Sequence, residues 1–290
     1  DGISILLSTI KLLMVNHKSL GVPKTLESTL RMPLEDYEYL INNLTGIEIK
    51  DANKIMRRVR FVKSEAEIAK IRHICQITSQ GFIDLEGFLR AGESEQENCR
   101  RFKQHLLTLG VDDSPYIVSG SGQEGYGSII MGPTDKIIEK GDLFIIDTGS
   151  VFDSYFCDFD RNYAFGSIGD EAKKAYRVAY EATEAGFNAA QVGNTTSDIF
   201  NAMNSVLQKG GALGNTVGRL GHGLGMQLTE WPSNTANDNT PLEPGVVLTL
   251  EPGLTFLPGK EMVHEENIVI TEDGPEWLSI RASEELPIIH

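Results

Sequence analysis

The sequence predicts an α+β fold built from two pseudo-symmetric helix–sheet halves, preceded by the remnant of a small N-terminal α/β domain. Three observations predict it. Stretches of helical periodicity come in runs and are followed by runs of apolar, strand-like segments, the α+β arrangement. The order helix, helix, strands occurs twice, and "ITSQGF" at residues 77–82 matches "ATEAGF" at residues 182–187, an offset of 105. A hydrophobic content of 40% over 290 residues supplies enough apolar side chain for one large domain or two small ones.

The leading segment, residues 1–60, reads as a unit of its own, with residues 61–290 as the main domain. Its apolar run at residues 3–15, "ISILLSTIKLLMV", is too short to span a bilayer and lacks the basic start and cleavage site of a signal peptide, so it is expected to pack. Leu34, Tyr37, Leu40, Ile41 and Leu44 fall at helical spacing, and residues 47–64 read as a short strand and a connecting helix. Ser64 with Glu67 forms a capping box. It opens a long helix expected to run to residue 89, with Ile68, Ile71, Cys75, Thr78, Phe82 and Leu85 on one face. A second helix starts at "SEQEN", and its counterpart in the other half starts at "TSDIF". "LFIID" at residues 143–147 reads as a buried strand, "DTGS" as a turn, and "YFCDFDRNYAF" as the antiparallel partner strand. Residues 232–245, rich in Pro, Asn and Thr, read as a loop. Two such halves facing each other leave a cleft between their sheets.

Charge and cysteine content narrow the function. A net charge of −15 disfavours a nucleic-acid or anionic-membrane surface. Three sparsely spaced cysteines suggest no disulfide framework and fit a reducing cytoplasm. The informative residues are acids at strand positions: Asp147, Asp158, Glu251 before a Pro-Gly turn, and Glu265 at the head of an apolar strand. A lone buried acid costs several kcal/mol, roughly, unless paired, and converging acids repel unless a cation lies between them. On a strand Asp160 shares a face with Asp158 while Arg161 points away, so Asp160 either supports the ligands from behind or pairs with an arginine, the second being favoured. His222 sits among glycines in "GRLGHGLG". Four carboxylates and one imidazole form a ligand set for two divalent cations, and Mn²⁺, Fe²⁺, Co²⁺ or Zn²⁺ suits it.

At these residues the chain resembles the creatinase, prolidase, aminopeptidase P and methionine aminopeptidase family of "pita-bread" metallohydrolases. The resemblance covers residues 61–280. It rests on Asp147 in "DTG", Asp158 eleven positions on, His222 in "GHGLG", Glu251 in "EPG" and Glu265 fourteen further on, with "GDLFIIDTG" and "ITEDG" as framework. Residues 1–60 resemble the end of the smaller N-terminal domain of prolidases and creatinases. The resemblance implies a pita-bread fold, metal ligation by all five residues, a general-base role for Glu251, a cytoplasmic homodimer, and hydrolysis of a peptide-like amide such as an Xaa-Pro dipeptide.

The pattern departs from the family's peptidases at two histidines. Seven residues after His222 stands Thr229, and residues 119–135, upstream of Asp147, hold no histidine, the aligned position lying near Tyr126 or Gly127. A threonine can donate a hydrogen bond but cannot carry the charge of an imidazolium. The expected reading is therefore a binuclear metallohydrolase, with a non-peptidase hydrolase or lyase of the same fold as the alternative and a non-catalytic metal-binding member as the third. Tyr126, Thr229 and Trp231 are the candidate substrate-binding residues, and Tyr155 and Glu230 are further candidates for the pocket wall.

Overall fold

The computed structural model describes residues 2–25, 28–215 and 218–290. The chain divides into two compact units, Asp1–Arg60 and Phe61–His290. The first holds α1 (Gly2–Leu13), β1 (Ser19–Val22), α2 (Leu34–Asn43), β2 (Glu48–Asp51) and the start of α3 (Asn53–Phe61). β1 and β2 pair in parallel, and Leu7, Leu40 and Leu44 form a small core. The helix at 34–43 and the strand and helix after it arise where the apolar spacing places them. Among the described residues no helix is long and apolar enough to cross a membrane.

The second unit repeats one order of elements. Helices α4 (Glu65–Leu85) and α5 (Glu95–Leu109) lead into β3 (Asp113–Gln123), β4 (Asp142–Phe152), β5 (Tyr155–Phe156) and β6 (Phe159–Phe165). Helices α6 (Asp170–Ala189) and α7 (Thr196–Lys209) then lead into β7 (His222–Gly223), β8 (Glu230–Ser233), β9 (Val247–Leu250), β10 (Gly253–Leu257), β11 (Lys260–Val263), β12 (Glu266–Thr271), β13 (Gly274–Trp277) and β14 (Ile288–Ile289). One sheet runs β14-β6-β4-β3 with β5 against β4, and the other runs β13-β12-β9-β7-β8. β10 and β11 form a separate antiparallel pair.

The repeated sequence motif marks where each helix pair closes. A Cβ on Gly81 of α4 would lie 2.5 Å from Leu106 of α5, and one on Gly186 of α6 would lie 2.7 Å from Met203 of α7. Only glycine permits these approaches, and the packing gained offsets its helix penalty of about 1 kcal/mol. The predicted capping box of Ser64 and Glu67 is present, and Ser94 with Glu97 and Thr195 with Asp198 cap α5 and α7 in the same way. Helix α4 ends at Leu85, four residues short of the predicted end, because the chain turns through the poor helix former Gly87.

β4 is buried on both faces, which explains its unbroken apolar run. Phe144 and Ile146 pack with Ile71, Phe82 and Phe102 of the first helix pair, whereas Leu143 and Ile145 join the cluster of α6 and α7. The predicted turn at "DTGS" is corrected by the structure. β4 continues through it to Phe152 because both its edges are paired, Asp147 opposite Val118 of β3 and Asp160 of β6. Aspartate, glycine and serine favour turns locally, but two neighbouring strands override that preference. The turn falls instead at Asp153 and Ser154, whose φ angles are +45° and +69°.

Candidate metal centre

The two sheets deliver acids to one place. Asp147 lies mid-strand on β4, on the same face as Leu143 and Ile145. Asp158 stands just before β6, and its backbone is held by Asn267 of β12 in the other sheet. The Asp158 N–H donates to Asn267 Oδ1 at 2.9 Å, and Asn267 Nδ2 donates to the Asp158 carbonyl. His222 opens β7, where its N–H donates to Thr249 Oγ1 at 3.1 Å. Gly221 before it has φ +118° and would carry a Cβ 2.2 Å from the Thr249 carbonyl, so the glycine lets β9 approach closely. Glu251 follows β9 and Glu265 precedes β12.

The imidazole is oriented for ligation. His222 Nδ1 donates to the Gly223 carbonyl at 2.8 Å, which leaves the Nε2 lone pair facing the cleft, 3.4 Å from Asp158 Oδ2. Ligand atoms of Asp158, His222 and Glu265 all lie within 4.8 Å of one another. Asp147 and Glu251 stand outside this tight group but within its field. Burial pushes the Asp147 carboxyl well up, and the charges of Asp158, Asp160 and Glu251 add to it. Glu265 is raised in the same way by burial and by Asp158, Glu251 and Asp147. Glu251 is raised by burial and Asp158 against the opposing fields of His222 and Arg219.

Three carboxylate oxygens, Asp147 Oδ1, Asp158 Oδ1 and Glu265 Oε1, are buried without a hydrogen-bond partner. Buried acids this close cannot all ionise unaided. A divalent cation satisfies both conditions, supplying the missing partner for each oxygen and the missing charge, and the oxygen-rich set with one imidazole suits a first-row ion.

Arg161 braces the site from behind. Its Nη2 pairs with the buried Glu266 carboxylate at 3.1 Å, and its Nη1 donates to the Glu265 carbonyl at 3.3 Å. The expected pairing of Asp160 with an arginine is corrected here. Arg161 meets Asp160 only at its backbone carbonyl, and the Asp160 side chain instead accepts from the Glu265 backbone and from Asn162 Nδ2 at 3.4 Å. Strand alternation turns Arg161 to the opposite face, where Glu266 waits.

The candidate substrate residues fall into different surroundings. The Tyr126 hydroxyl is committed inside the fold, donating to Asn162 Oδ1 and accepting from the Val263 N–H, both at 2.9 Å. Thr229 is exposed and accepts from Arg219 Nη2 at 3.5 Å. Trp231 is half-buried and packs on Phe61 with ring centroids 4.7 Å apart. Glu230 pairs with the buried Lys63 at 3.2 Å, and the Tyr155 hydroxyl donates to Glu67. Three residues at the site escape a reading of the sequence for ligands: Asn267, Arg219 and Tyr116. Arg219 had a local signal, since it stands three residues before His222, whereas Tyr116 is brought in only by the pairing of β3 with β4.

Asn267 gives a direct test of how the halves support the site. Asn267→Ala removes both hydrogen bonds on Asp158 and is expected to cost about 2–3 kcal/mol in urea denaturation. Mn²⁺ affinity is expected to fall about 10- to 100-fold, as for other residues that hold a ligand in place. Unchanged affinity in calorimetry would show that Asp158 is fixed by other means.

Residues 69–273 match the model of metallopeptidase family M24. The chain is similar to the Xaa-Pro dipeptidase of Pyrococcus furiosus, 26% identical over 269 residues that make up 92% of this chain and 75% of the relative. It is 29% identical to the Xaa-Pro dipeptidase of Pyrococcus horikoshii over 90% of this chain and 73% of that one. Among solved structures it superposes on the X-Pro aminopeptidase of Thermotoga maritima with a TM-score of 0.85 and 25% identity, over 100% of this chain and 80% of that one.

Proposed function

We propose that this chain, which belongs to metallopeptidase family M24, is a binuclear metal-dependent hydrolase that cleaves a peptide-like amide, with Xaa-Pro dipeptides as the first substrates to test. The observation that carries the reading is the convergence of Asp158, His222 and Glu265 within 4.8 Å. Asp147 and Glu251 complete the set from the same two sheets. The names borne by its relatives, Xaa-Pro dipeptidases, support the substrate class.

When bound, a pair of divalent cations would polarise the amide carbonyl and acidify water. The chain supplies the remaining steps. Glu251, whose carboxylate burial makes more basic, accepts the proton of the attacking water and returns it to the departing amine. Arg219 sets a positive charge near Glu251 and holds Thr229, so it can receive the carboxylate of a small substrate. Leu228 lies over Gly149 of β4, two residues from Asp147, and keeps water away from that side.

Thr229 favours a second reading. It stands where the family's peptidases place histidine, and residues 119–135 offer no other, which fits a non-peptidase hydrolase or lyase on a small metabolite. Release of proline from Ala-Pro and related dipeptides by Mn²⁺- or Co²⁺-loaded protein separates the two. Turnover that disappears with chelator supports the peptidase reading. No release from any peptide by metal-loaded protein would sink it in favour of the second.

A further inference from the structure

The tyrosines of the main unit differ in one respect. Tyr126 donates to Asn162, Tyr155 to Glu67, Tyr163 to the Phe82 carbonyl and Tyr176 to the Ser283 carbonyl. Each spends its hydroxyl inside the fold. Tyr116 and Tyr180 do not: among the described residues neither hydroxyl has a hydrogen-bond partner, but the Tyr180 ring packs against His264 and Arg281, whereas Tyr116, whose backbone carbonyl accepts from Thr148 Oγ1, lies on the sheet that carries Asp147.

Its position explains where that hydroxyl is useful. Tyr116 lies opposite Gly149 of β4, two residues along from the pair Val118 and Asp147. A step of two on each strand keeps the same face, so Tyr116 and Asp147 project on one side of the sheet. Phe159 pairs with Thr148, which sets Asp158 at the level of Gly149 on the far edge of β4. Tyr116 and Asp158 therefore flank Gly149, and the room left by its missing side chain is taken by Leu228, whose Cδ1 would lie 2.1 Å from a Cβ there. The ring is half-buried. Burial and then the charges of Asp147, Asp158, Glu265 and Glu251 all act on its phenol, which places the hydroxyl in the field of the whole acid set.

We propose that Tyr116 is a catalytic residue of this site, its phenol donating a hydrogen bond to the substrate oxygen on which negative charge develops. The inference rests on the carbonyl-hydrolase reading above. A phenol is neutral over the range in which the carboxylates are ionised, so it can donate without giving up its proton. No bond to Tyr116 forms or breaks. The water proton goes to Glu251, and Tyr116 stabilises the oxyanion alone, the type of contact whose loss lowers turnover rather than binding.

Tyr116→Phe keeps the ring and removes only the hydroxyl. The variant is expected to show the wild-type melting temperature and the wild-type rise in that temperature on adding Mn²⁺. On Ala-Pro its kcat is expected to fall about 100-fold with KM changed by less than about threefold. A kcat within about threefold of wild type overturns the assignment. If the wild-type protein cleaves no dipeptide, the peptidase reading fails by itself, and Tyr116 is then tested by inorganic phosphate binding to the Mn²⁺-loaded proteins. Phosphate affinity about tenfold weaker in Tyr116→Phe supports the hydroxyl as an oxyanion donor. Equal affinity in the two proteins, or no binding by either, overturns it.

Discussion

Glu251→Gln is expected to lower turnover about 10³-fold on any amide that the wild-type protein cleaves, with the fold intact. Glutamine keeps the shape and one carbonyl oxygen of glutamate but cannot take a proton. The remaining ligands do not depend on it: His222 is oriented by the Gly223 carbonyl, Asp158 is gripped by Asn267, and both lie with Glu265 in the tight group. The variant should therefore still bind Mn²⁺, seen as a rise in melting temperature on adding the ion. Turnover within about tenfold of wild type would remove Glu251 from the general-base role.

Arg161→Met is expected to destabilise the main unit by about 3–5 kcal/mol. Arg161 is 8% exposed and Glu266 is fully enclosed, so the substitution leaves a carboxylate buried without its partner. The guanidinium also holds the carbonyls of Glu265 and Ile280 and lies over the rings of Phe82 and Phe159, at 5.6 and 4.9 Å. Glu266 keeps the hydrogen bonds from Ser279 Oγ and the Ala282 N–H, with His264 Nε2 3.9 Å away. Adding Glu266→Gln removes the stranded charge, and the double variant should regain about 1–3 kcal/mol over the single one. Urea denaturation of the three proteins checks this. A loss below about 1 kcal/mol for Arg161→Met would mean that Glu266 is neutral in the folded protein or finds another partner.

The candidate ligands stand out in the sequence because their residue types contradict their surroundings, and the structure brings Asp158, His222 and Glu265 of them within 4.8 Å of one another. An acid at the end of "VVLTL" or the head of "ENIVIT" has no packing explanation, and four such acids in order with one histidine leave few chemistries open. Helix starts were legible for a local reason, since Ser64 and Glu67 lie three residues apart and make their contact within one turn. What the sequence concealed depends on pairing between distant strands. "DTGS" looks like a turn until β3 and β6 close on both sides of it. "SPYIV" looks like any strand, and nothing in it says that Tyr116 stands opposite Gly149. Strand alternation shows that Arg161 points away from Asp160, but not that it finds Glu266 more than a hundred residues away.

The central claim is that the side chains of Asp147, Asp158, His222, Glu251 and Glu265 together hold the metal ions on which hydrolysis depends. Equilibrium dialysis of chelator-stripped protein against Mn²⁺, followed by metal analysis, tests it directly. The wild-type chain should retain two ions and Asp158→Ala fewer, with Ala-Pro hydrolysis returning in step with occupancy. A wild-type chain that retains no Mn²⁺, Co²⁺ or Zn²⁺ above the level of Asp158→Ala would contradict the account.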